Sequence, residues 1–169
     1  MPFNFQPVLQ GKLLSLRPLR SGDFRELYAV ASDPLIWEQH PDSDRYQEKV
    51  FKEFFQGAIE SGGALIAIDS TDGRVIGSSR FHAYSEQESE VEIGYTFLAR
   101  SHWGGAYNGE MKQLMLQHAF QFVETVVFVI GLENLRSRKA VEKIGGVYEG
   151  TKVVRGHERA IYRIAKRAK

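Results

Sequence analysis

Polar and apolar residues alternate along residues 90–97, and this spacing predicts a β-strand. One face of that strand would carry Val91, Ile93, Tyr95 and Phe97, and the other would carry Glu90, Glu92, Gly94 and Thr96. The small-residue loop Trp103-Gly104-Gly105-Ala106 follows, and apolar residues then recur at helical spacing from Met111 to Phe122. This order is typical of a phosphate site, because the first N–H groups of a helix have no partner inside it.

The rest of the chain divides by the same two spacings into further strands and helices. Helices are predicted after candidate capping boxes at residues 23–26 and 44–47, and over residues 134–144. Strands are predicted at residues 13–17, 64–69, 74–84, 126–130, 147–154 and 160–165. The first of them ends at Pro18 and is expected at a sheet edge. Residues 1–12 precede it as an extended arm that could pack on a partner chain. These elements predict one α/β domain over residues 1–169, with about four helices flanking a mixed twisted sheet of about seven strands.

The composition excludes several classes of function. The net charge of the 169 residues is +1, so no global field favours nucleic acid or a membrane surface. The chain has no cysteine and its histidines lack metal-site spacing, so we expect neither a thiolate nucleophile nor a metal. No run reaches the ~20 apolar residues of a membrane helix, and no signal-peptide pattern is visible. We therefore expect a cytoplasmic protein without a nucleic-acid or membrane partner.

Two common phosphate motifs fail at the small-residue loop. Gly104 and Gly109 have Walker A spacing, but Glu110-Met111 stands where that motif requires Lys followed by Ser or Thr. The dinucleotide fingerprint fails because Ala106 occupies the position of its second glycine. A tight turn before a core helix is the alternative to a phosphate site.

The order of elements and the motifs together resemble the GNAT N-acetyltransferase superfamily, and within it the RimJ/RimL-type ribosomal-protein N-terminal acetyltransferases. The matching segments are residues 14–19, 72–81, Glu92-Ile-Gly94-Tyr95, Gly104-Gly105-Ala106 and residues 133–140. The resemblance implies a GNAT fold with acetyl-CoA as cosubstrate. Its pyrophosphate would meet the helix that Gly104-Gly105-Ala106 opens. Ser101 stands where the family usually has Gln or Arg, which weakens a side-chain contact but not a cradle built mostly of backbone.

The resemblance also assigns the residues that bind the cosubstrate. They are Phe97, Leu98, Arg100, Gly104, Gly105, Ala106, Tyr107, Asn108, Asn134, Ser137 and Arg138. A backbone N–H near Phe97 or Leu98 is the expected donor to the thioester oxygen, on which negative charge develops. A solvated basic face is the alternative role for Arg100 and Arg138, and an N-cap is the alternative role for Asn134.

Acetyl transfer needs a neutral amine, because an ammonium has no lone pair. An α-amine has a pKa of about 7.7–8.0 and a lysine about 10.4, so a modest base suffices for the α-amine. The resemblance assigns this base to Glu92, acting directly or through water, and a solvent-facing strand glutamate is the alternative. Glu90, Trp37 and His40 are the expected acceptor-side residues.

The family's usual acid for the leaving thiolate is missing from this chain. Many GNAT enzymes have a tyrosine seven residues after the helix asparagine, and that position is Val141 here. Tyr107, Ser137 or a water held by Asn134 are alternatives, as is departure of an unprotonated thiolate.

We predict an acetyl-CoA-dependent N-acetyltransferase that acts by direct attack of the amine in a ternary complex. The acceptor implied by the resemblance is the N-terminal α-amine of a protein or peptide. The alternatives are a small amine, such as a polyamine, amino acid or antibiotic, or a GNAT-fold module that binds acyl-CoA without turnover. The sequence leaves a monomer and a homodimer open.

Overall fold

The computed structural model describes residues 2–167, which form one mixed sheet with helices on both faces. The helices are α1 (Phe24–Ala31), α2 (Glu48–Ser61), α3 (Ala106–Ala119) and α4 (Leu135–Lys143). The strands are β1 (Leu9–Gln10), β2 (Leu14–Pro18), β3 (Ala64–Asp69), β4 (Val75–Ser85), β5 (Glu90–Leu98), β6 (Thr125–Gly131), β7 (Val147–Val154) and β8 (His157–Ala165). Their order in the sheet is β1-β2-β3-β4-β5-β6-β8-β7, and β5 runs parallel to β6 while the other neighbours are antiparallel. The predicted mixed α/β fold is confirmed, and the short β1 is the additional, unpredicted strand.

Two clusters of buried apolar side chains cover the two faces of the sheet. The cluster beneath α3 includes Leu16, Phe81, Ile93, Met111, Met115, Val141 and Tyr162. The cluster beneath α1 and α2 includes Leu27, Trp37, Phe51, Phe55, Ile66 and Phe97. Strand alternation explains the division, since the consecutive residues Leu65 and Ile66 belong to opposite clusters. Each large apolar side chain buried in this way contributes about 1.5–3 kcal/mol.

The N-terminal arm packs on the core of its own chain. The ring of Phe3 is 6% exposed and lies edge-on to Phe81 and His118. The His118 ring lies 2.7 Å from the Asn4 carbonyl oxygen, so this histidine has a structural partner. β2 was predicted at a sheet edge, and this is wrong, because residues 9–10 return as β1 and pair with it. Among residues 2–167, no helix is long and apolar enough to cross a membrane.

Both predicted capping boxes are wrong. The Asp23 side chain does not cap α1; it accepts hydrogen bonds from the Arg17 guanidinium and from the Arg20 backbone N–H instead. The second helix begins at Glu48, later than predicted, and its N-cap residue Gln47 makes no side-chain cap. In both places a tertiary or turn contact replaces the local hydrogen bond that the sequence spacing suggested.

A β-bulge interrupts the alternation of β5. Tyr95 has a φ of 55°, and the pairing with β4 shifts by one residue between Gly94 and Phe97. Ile93 therefore packs in the cluster beneath α3, whereas Phe97 packs in the cluster beneath α1 and α2. The predicted common face of Val91, Ile93, Tyr95 and Phe97 is wrong beyond Ile93, because the extra residue inverts the faces that follow it.

Candidate active site

A cleft opens where β5 and β6 separate. The two strands pair from residues 90–92 with residues 125–127, and no further pair forms along the described parts of either strand. The cleft encloses about 190 Å³, more than ten times the ~10–15 Å³ of such space that one water molecule needs. Nine of the predicted site residues line it: Trp37, His40, Phe97, Leu98, Gly104, Gly105, Asn108, Asn134 and Ser137.

One mouth of the cleft carries the start of α3. Gly104 and Gly105 have φ values of 116° and 103°, in the left-handed region that disfavours any residue with a Cβ. No side chain caps the helix, so the first N–H groups at Ala106, Tyr107 and Asn108 are available to a ligand. The Lys143 ammonium lies over the same loop, with its Nζ 3.3 Å from the place that a Cβ on Gly105 would occupy. Unpaired N–H groups and a cation together favour the binding of an anion at this loop.

A hydrogen-bond chain centred on the buried His102 holds this loop in place. The Ser101 hydroxyl lies 2.8 Å from Nδ1 of His102, and His102 Nε2 lies 2.7 Å from Asp69 Oδ2 at the end of β3. Hydrogen bonding to His102 keeps the pKa of Asp69 below its usual value. The Tyr107 hydroxyl is 3.5 Å from the same carboxylate oxygen, and burial and that carboxylate raise the Tyr107 pKa. The Tyr107 side chain therefore belongs to the loop anchor and does not line the cleft.

Asn134 presents an unsatisfied acceptor in the cleft. The residue is 5% exposed, and its Oδ1 atom is buried without a hydrogen-bond partner among the described residues. Asn134 occupies the N-cap position of α4, but its side chain does not cap the helix. A buried carbonyl oxygen without a partner costs about 1–3 kcal/mol, so a ligand N–H donated to it would relieve that cost.

The backbone of Leu98 supplies a donor in the cleft. The Ala99 N–H donates to the Ile76 carbonyl, 2.8 Å away, so this pair belongs to the bonded positions of the β4–β5 ladder. Bonded and non-bonded positions alternate along antiparallel strands, which directs the Leu98 N–H away from β4 and towards the cleft. The Leu98 carbonyl faces the same side and accepts from the Trp103 indole N–H at 2.9 Å. Of the two predicted donors, Leu98 is the one whose N–H faces the cleft.

Glu92 lies at the apex of the cleft. It faces Val127 in the last register pair before the two strands separate. Its Oε2 atom is 2.6 Å from His82 Nε2, although the two are not aligned as a hydrogen bond. The same oxygen is 3.9 Å from the position of a Cβ on Gly94, a residue that lines the cleft. The Glu92 carboxylate therefore lies beside a lining residue of the cleft without lining the cleft itself.

Lys112 is a charged residue buried at the base of the cleft. It is 4% exposed, and its Nζ donates to Thr96 Oγ1 at 2.5 Å and lies 5.6 Å from the centre of the Phe128 ring. No carboxylate of the described residues lies within ion-pair distance of it. Burial lowers the pKa of Lys112 to about 7, so the side chain exchanges a proton near neutral pH.

One side of the cleft is formed by the link between α1 and α2, where Trp37 and His40 were predicted as acceptor-side residues. The Trp37 indole N–H donates to the Ala31 carbonyl at 2.8 Å, which fixes the ring in the core. The His40 Nδ1 atom accepts the Asp42 backbone N–H at 2.9 Å. Burial and the positive charge of Arg45 lower the pKa of His40 to about 3, so the imidazole is neutral near pH 7. A base with this pKa does not take a proton from an ammonium at neutral pH.

Three predicted residues have their charged groups engaged outside the cleft. The Arg100 guanidinium pairs with Asp33. The Arg138 guanidinium donates to the Tyr162 hydroxyl and the Leu132 carbonyl. The Glu90 carboxylate pairs with Arg163 of β8. Ala106 keeps its place at the first turn of α3 but does not line the cleft with its side chain.

Sequence reasoning missed four basic residues of the site: Lys112, Arg136, Lys143 and Arg159. Lys112 follows Asn108 by four residues, so the helical face that carries Asn108 towards the cleft also carries this lysine. Arg136 stacks 3.7 Å from the Trp103 ring, and its Nη2 donates to the Ile36 carbonyl. Arg136, Lys143 and Arg159 reach the cleft through contacts with elements far away in the sequence, so no local sequence signal marked them.

Residues 14–147 match the sequence profile of the acetyltransferase (GNAT) domain family. A GCN5-related N-acetyltransferase from Brucella melitensis has a TM-score of 0.82 and 21% identity, over 97% of this chain and 80% of that chain. A spermidine N-acetyltransferase from Vibrio cholerae, in complex with CoA and spermine, has a TM-score of 0.67 and 18% identity, over 90% and 94%. A candidate ribosomal-protein-serine acetyltransferase from Vibrio cholerae has a TM-score of 0.76 and 11% identity, over 94% and 97%. No curated protein matches the chain by sequence.

The structural matches show a shared fold, and the profile match shows the family. The unpaired N–H groups, the separating strands and the buried asparagine lie within the matched residues. The profile covers most of the chain, residues 14–147 of 169, and the protein therefore belongs to the GNAT family of acetyl-CoA-dependent N-acetyltransferases.

Proposed function

We propose that the protein acetylates the α-amine of a peptide or protein, by direct attack of the neutral amine on the thioester in a ternary complex. The observation that carries this proposal is the juxtaposition of three groups around one cleft: the uncapped start of α3, the Leu98 N–H, and the Glu92 carboxylate beside the lining residue Gly94. In the reaction the amine nitrogen bonds to the acetyl carbon, the carbon–sulfur bond breaks, and the amine proton leaves through the base. Membership of the RimJ/RimL branch and a cytoplasmic location are parts of the same proposal.

The residues present fit acetyl-CoA as the cosubstrate. The N–H groups of Ala106, Tyr107 and Asn108, together with Lys143, would hold the pyrophosphate. The buried Oδ1 of Asn134 would accept an amide N–H of the pantetheine arm. The bound thioester supplies an activated acyl group, and the Leu98 N–H would stabilise the negative charge that develops on its oxygen.

Glu92 would act as the base through a bridging water. An α-amine with a pKa near 8 is about one-tenth neutral at pH 7. Its ammonium form therefore loses a proton readily, and a weak base is enough to remove it. A lysine acceptor, with a pKa about 2.5 units higher, would make the same step about 3.5 kcal/mol more costly. A single carboxylate of this kind is therefore better matched to an α-amine.

Lys112 would supply the proton to the leaving thiolate. It lines the same cleft as Val141, the position where the family's usual tyrosine is missing. Its pKa of about 7 means that it is partly protonated at neutral pH and is a stronger acid than an ordinary lysine. Tyr107 is a poorer donor in this structure, because its hydroxyl lies beside Asp69.

Two measurements test the proposed function. Acetyl-CoA at about a thousand times its dissociation constant should stabilise the fold by about 4 kcal/mol, and desulfo-CoA or CoA should also stabilise it. Release of free CoA thiol should then follow addition of a peptide with a free N-terminus and should be absent with the same peptide N-acetylated. Stabilisation without thiol release from any amine would favour the acyl-CoA-binding alternative, and absence of stabilisation would rule out both.

A further inference from the structure

Buried arginines surround the acceptor side of the cleft. Arg45, Arg80 and Arg159 are 6%, 7% and 7% exposed. The Arg80 guanidinium lies 3.8 Å from the centre of the Tyr95 ring, and the Arg45 guanidinium lies 4.5 Å from the centre of the Phe54 ring. Arg159, on β8, lines the cleft together with Tyr95, and the sequence alone gave no reason to expect it there.

Of these three arginines, Arg45 has a carboxylate partner, whereas Arg80 and Arg159 have none among the described residues. Asp42 pairs with Arg45, and Glu92 lies beside His82. Buried nitrogen atoms of the two unpaired arginines also lack a hydrogen-bond partner in the described part of the chain: Nε of Arg80, and Nε and Nη2 of Arg159.

Such a buried and unpaired guanidinium is costly in a folded protein. Buried charges are normally paired, and an unpaired one strongly destabilises the folded state. Arg155 adds a further positive charge near Arg45 and Arg80, and it contributes to the lowered pKa of both. The arrangement is therefore typical of a binding site for an anionic ligand. A carboxylate of such a ligand would pair with the Arg159 guanidinium and remove the penalty of leaving it unpaired.

We propose that the acceptor side of the cleft is an anion subsite built on Arg159, and that the acceptor carries a carboxylate close to the amine that is acetylated. This inference rests on the proposed function and specifies its substrate class. The carboxylate is either an acidic side chain next to a peptide N-terminus or the α-carboxylate of a free amino acid. A polyamine does not fit, because its additional ammonium groups would approach Arg159, Arg80 and Arg155.

Matched acceptors test this proposal on the unmodified protein. One pair is Ala-Glu-Ala and Ala-Gln-Ala, both with amidated C-termini, so that the glutamate side chain is the one carboxylate that differs. The second pair is alanine and alaninamide, compared per unit of unprotonated amine, and spermidine is the cationic comparison. A charge-assisted hydrogen bond predicts a preference for the acidic member of about 10- to 100-fold in kcat/KM. A preference confined to one pair identifies the source of the carboxylate, whereas equal rates in both pairs, or fastest turnover of spermidine, would overturn the proposal.

Variants of Arg159 locate the subsite. Arg159→Gln should bring the ratio of kcat/KM for the acidic peptide over its amide close to one, and Arg159→Glu should favour Ala-Lys-Ala over Ala-Glu-Ala. Arg74→Gln, which removes an exposed arginine remote from the cleft, is the charge control and should keep the ratio of the unmodified protein. Each variant is used only if acetyl-CoA still raises its melting temperature. An unchanged ratio in Arg159→Gln would overturn the assignment.

Failure of the proposed function has a different signature. If acetyl-CoA binds but no amine releases thiol, the two peptides are titrated calorimetrically into the CoA complex. Tighter binding of Ala-Glu-Ala than of Ala-Gln-Ala would then support the anion subsite without catalysis, and equal binding would overturn it.

Discussion

Lys112 donates a hydrogen bond to Thr96 across 2.5 Å at the base of the cleft. The bond depends on the bulge at Tyr95, because regular alternation would place Thr96 on the face of Glu92, away from α3. Thr96 Oγ1 lies in turn 2.8 Å from the Ser79 hydroxyl on β4. The bulge thus gives a buried ammonium its partner.

Replacing Lys112 with methionine should change how stability depends on pH. The folded-state pKa of about 7 lies below the ordinary 10.5, so between these values the unfolded chain binds more protons. The free energy of unfolding should then rise with pH over this range, because the penalty for burying the cation is complete below the folded pKa. Lys112→Met should be more stable than the unmodified protein by a few kcal/mol near pH 6, and this difference should shrink towards pH 9.5. Urea titrations at several pH values measure it, with exposed Lys139→Met as the control; a difference independent of pH would contradict the prediction.

The same variant should also affect turnover. If Lys112 protonates the thiolate, Lys112→Met should lower kcat by about 100-fold or more, within the range of a general acid. In the unmodified protein kcat at saturating acceptor should fall as pH rises above about 7, and this descending limb should be absent from the variant. Lys112→Arg should not restore activity, since a guanidinium holds its proton too tightly to donate it. A variant with normal kcat and an intact limb would exclude Lys112 as the acid.

The elements of the fold could be predicted because their signals are local. The strand at residues 64–69 was predicted with the bounds that β3 has, and the turn at Gly62 has the left-handed φ that ends α2. The bulge at Tyr95 could not be predicted, because it is a property of the pairing between β4 and β5. The face of Phe97 was therefore predicted wrongly, although the strand itself was predicted correctly.

The candidate site likewise has parts that could be predicted from the sequence and parts that could not. Its backbone parts, Gly104-Gly105-Ala106 and the start of α3, follow from small residues before a helical pattern. Its ionic parts depend on contacts between residues far apart in sequence. Arg138 and Glu90 looked available in the sequence, and the structure engages both with partners on or beside β8. Arg159 reaches the cleft because the antiparallel pairing of β8 with β6 places it opposite Gly131.

Replacing Glu92 with glutamine should remove the proposed base with little change in shape. We expect kcat/KM at pH 7 to fall by about 100-fold, and the loss to shrink as pH rises towards the acceptor pKa, because more of the amine is then neutral without help. Thiol release from a fixed peptide between pH 6 and 9.5 measures this. Glu88→Gln, an exposed glutamate in the turn before β5, should behave like the unmodified protein. If Glu92→Gln turns over equally fast at pH 7, Glu92 is not the base.

Replacing Asn134 with alanine should separate cosubstrate binding from stability. The variant removes an acceptor that lacks a partner in the free protein, so the melting temperature without ligand should stay the same or rise. The affinity for acetyl-CoA should fall about tenfold, because the lost hydrogen bond is worth about 1–1.5 kcal/mol. Calorimetric titration and thermal melts of the same samples give the two quantities. A lower melting temperature with unchanged affinity would show that Asn134 serves the fold instead.

Replacing Glu110 should loosen the N-terminal arm. This carboxylate on α3 accepts the backbone N–H groups of Lys12, Leu13 and Leu14 at 3.0, 2.8 and 2.9 Å, and so ties the start of β2 to the helix. Glu110→Ala leaves these three donors without their acceptor and should lower the free energy of unfolding by about 2–3 kcal/mol. Glu110→Gln keeps one carbonyl oxygen, and its free energy of unfolding should fall by about half as much. Glu53→Ala removes an exposed glutamate of α2 and should change the free energy of unfolding by less than about 0.5 kcal/mol. Urea unfolding of the four proteins measures the differences, and equal stability of Glu110→Ala and Glu53→Ala would show that the arm is held by its apolar contacts alone.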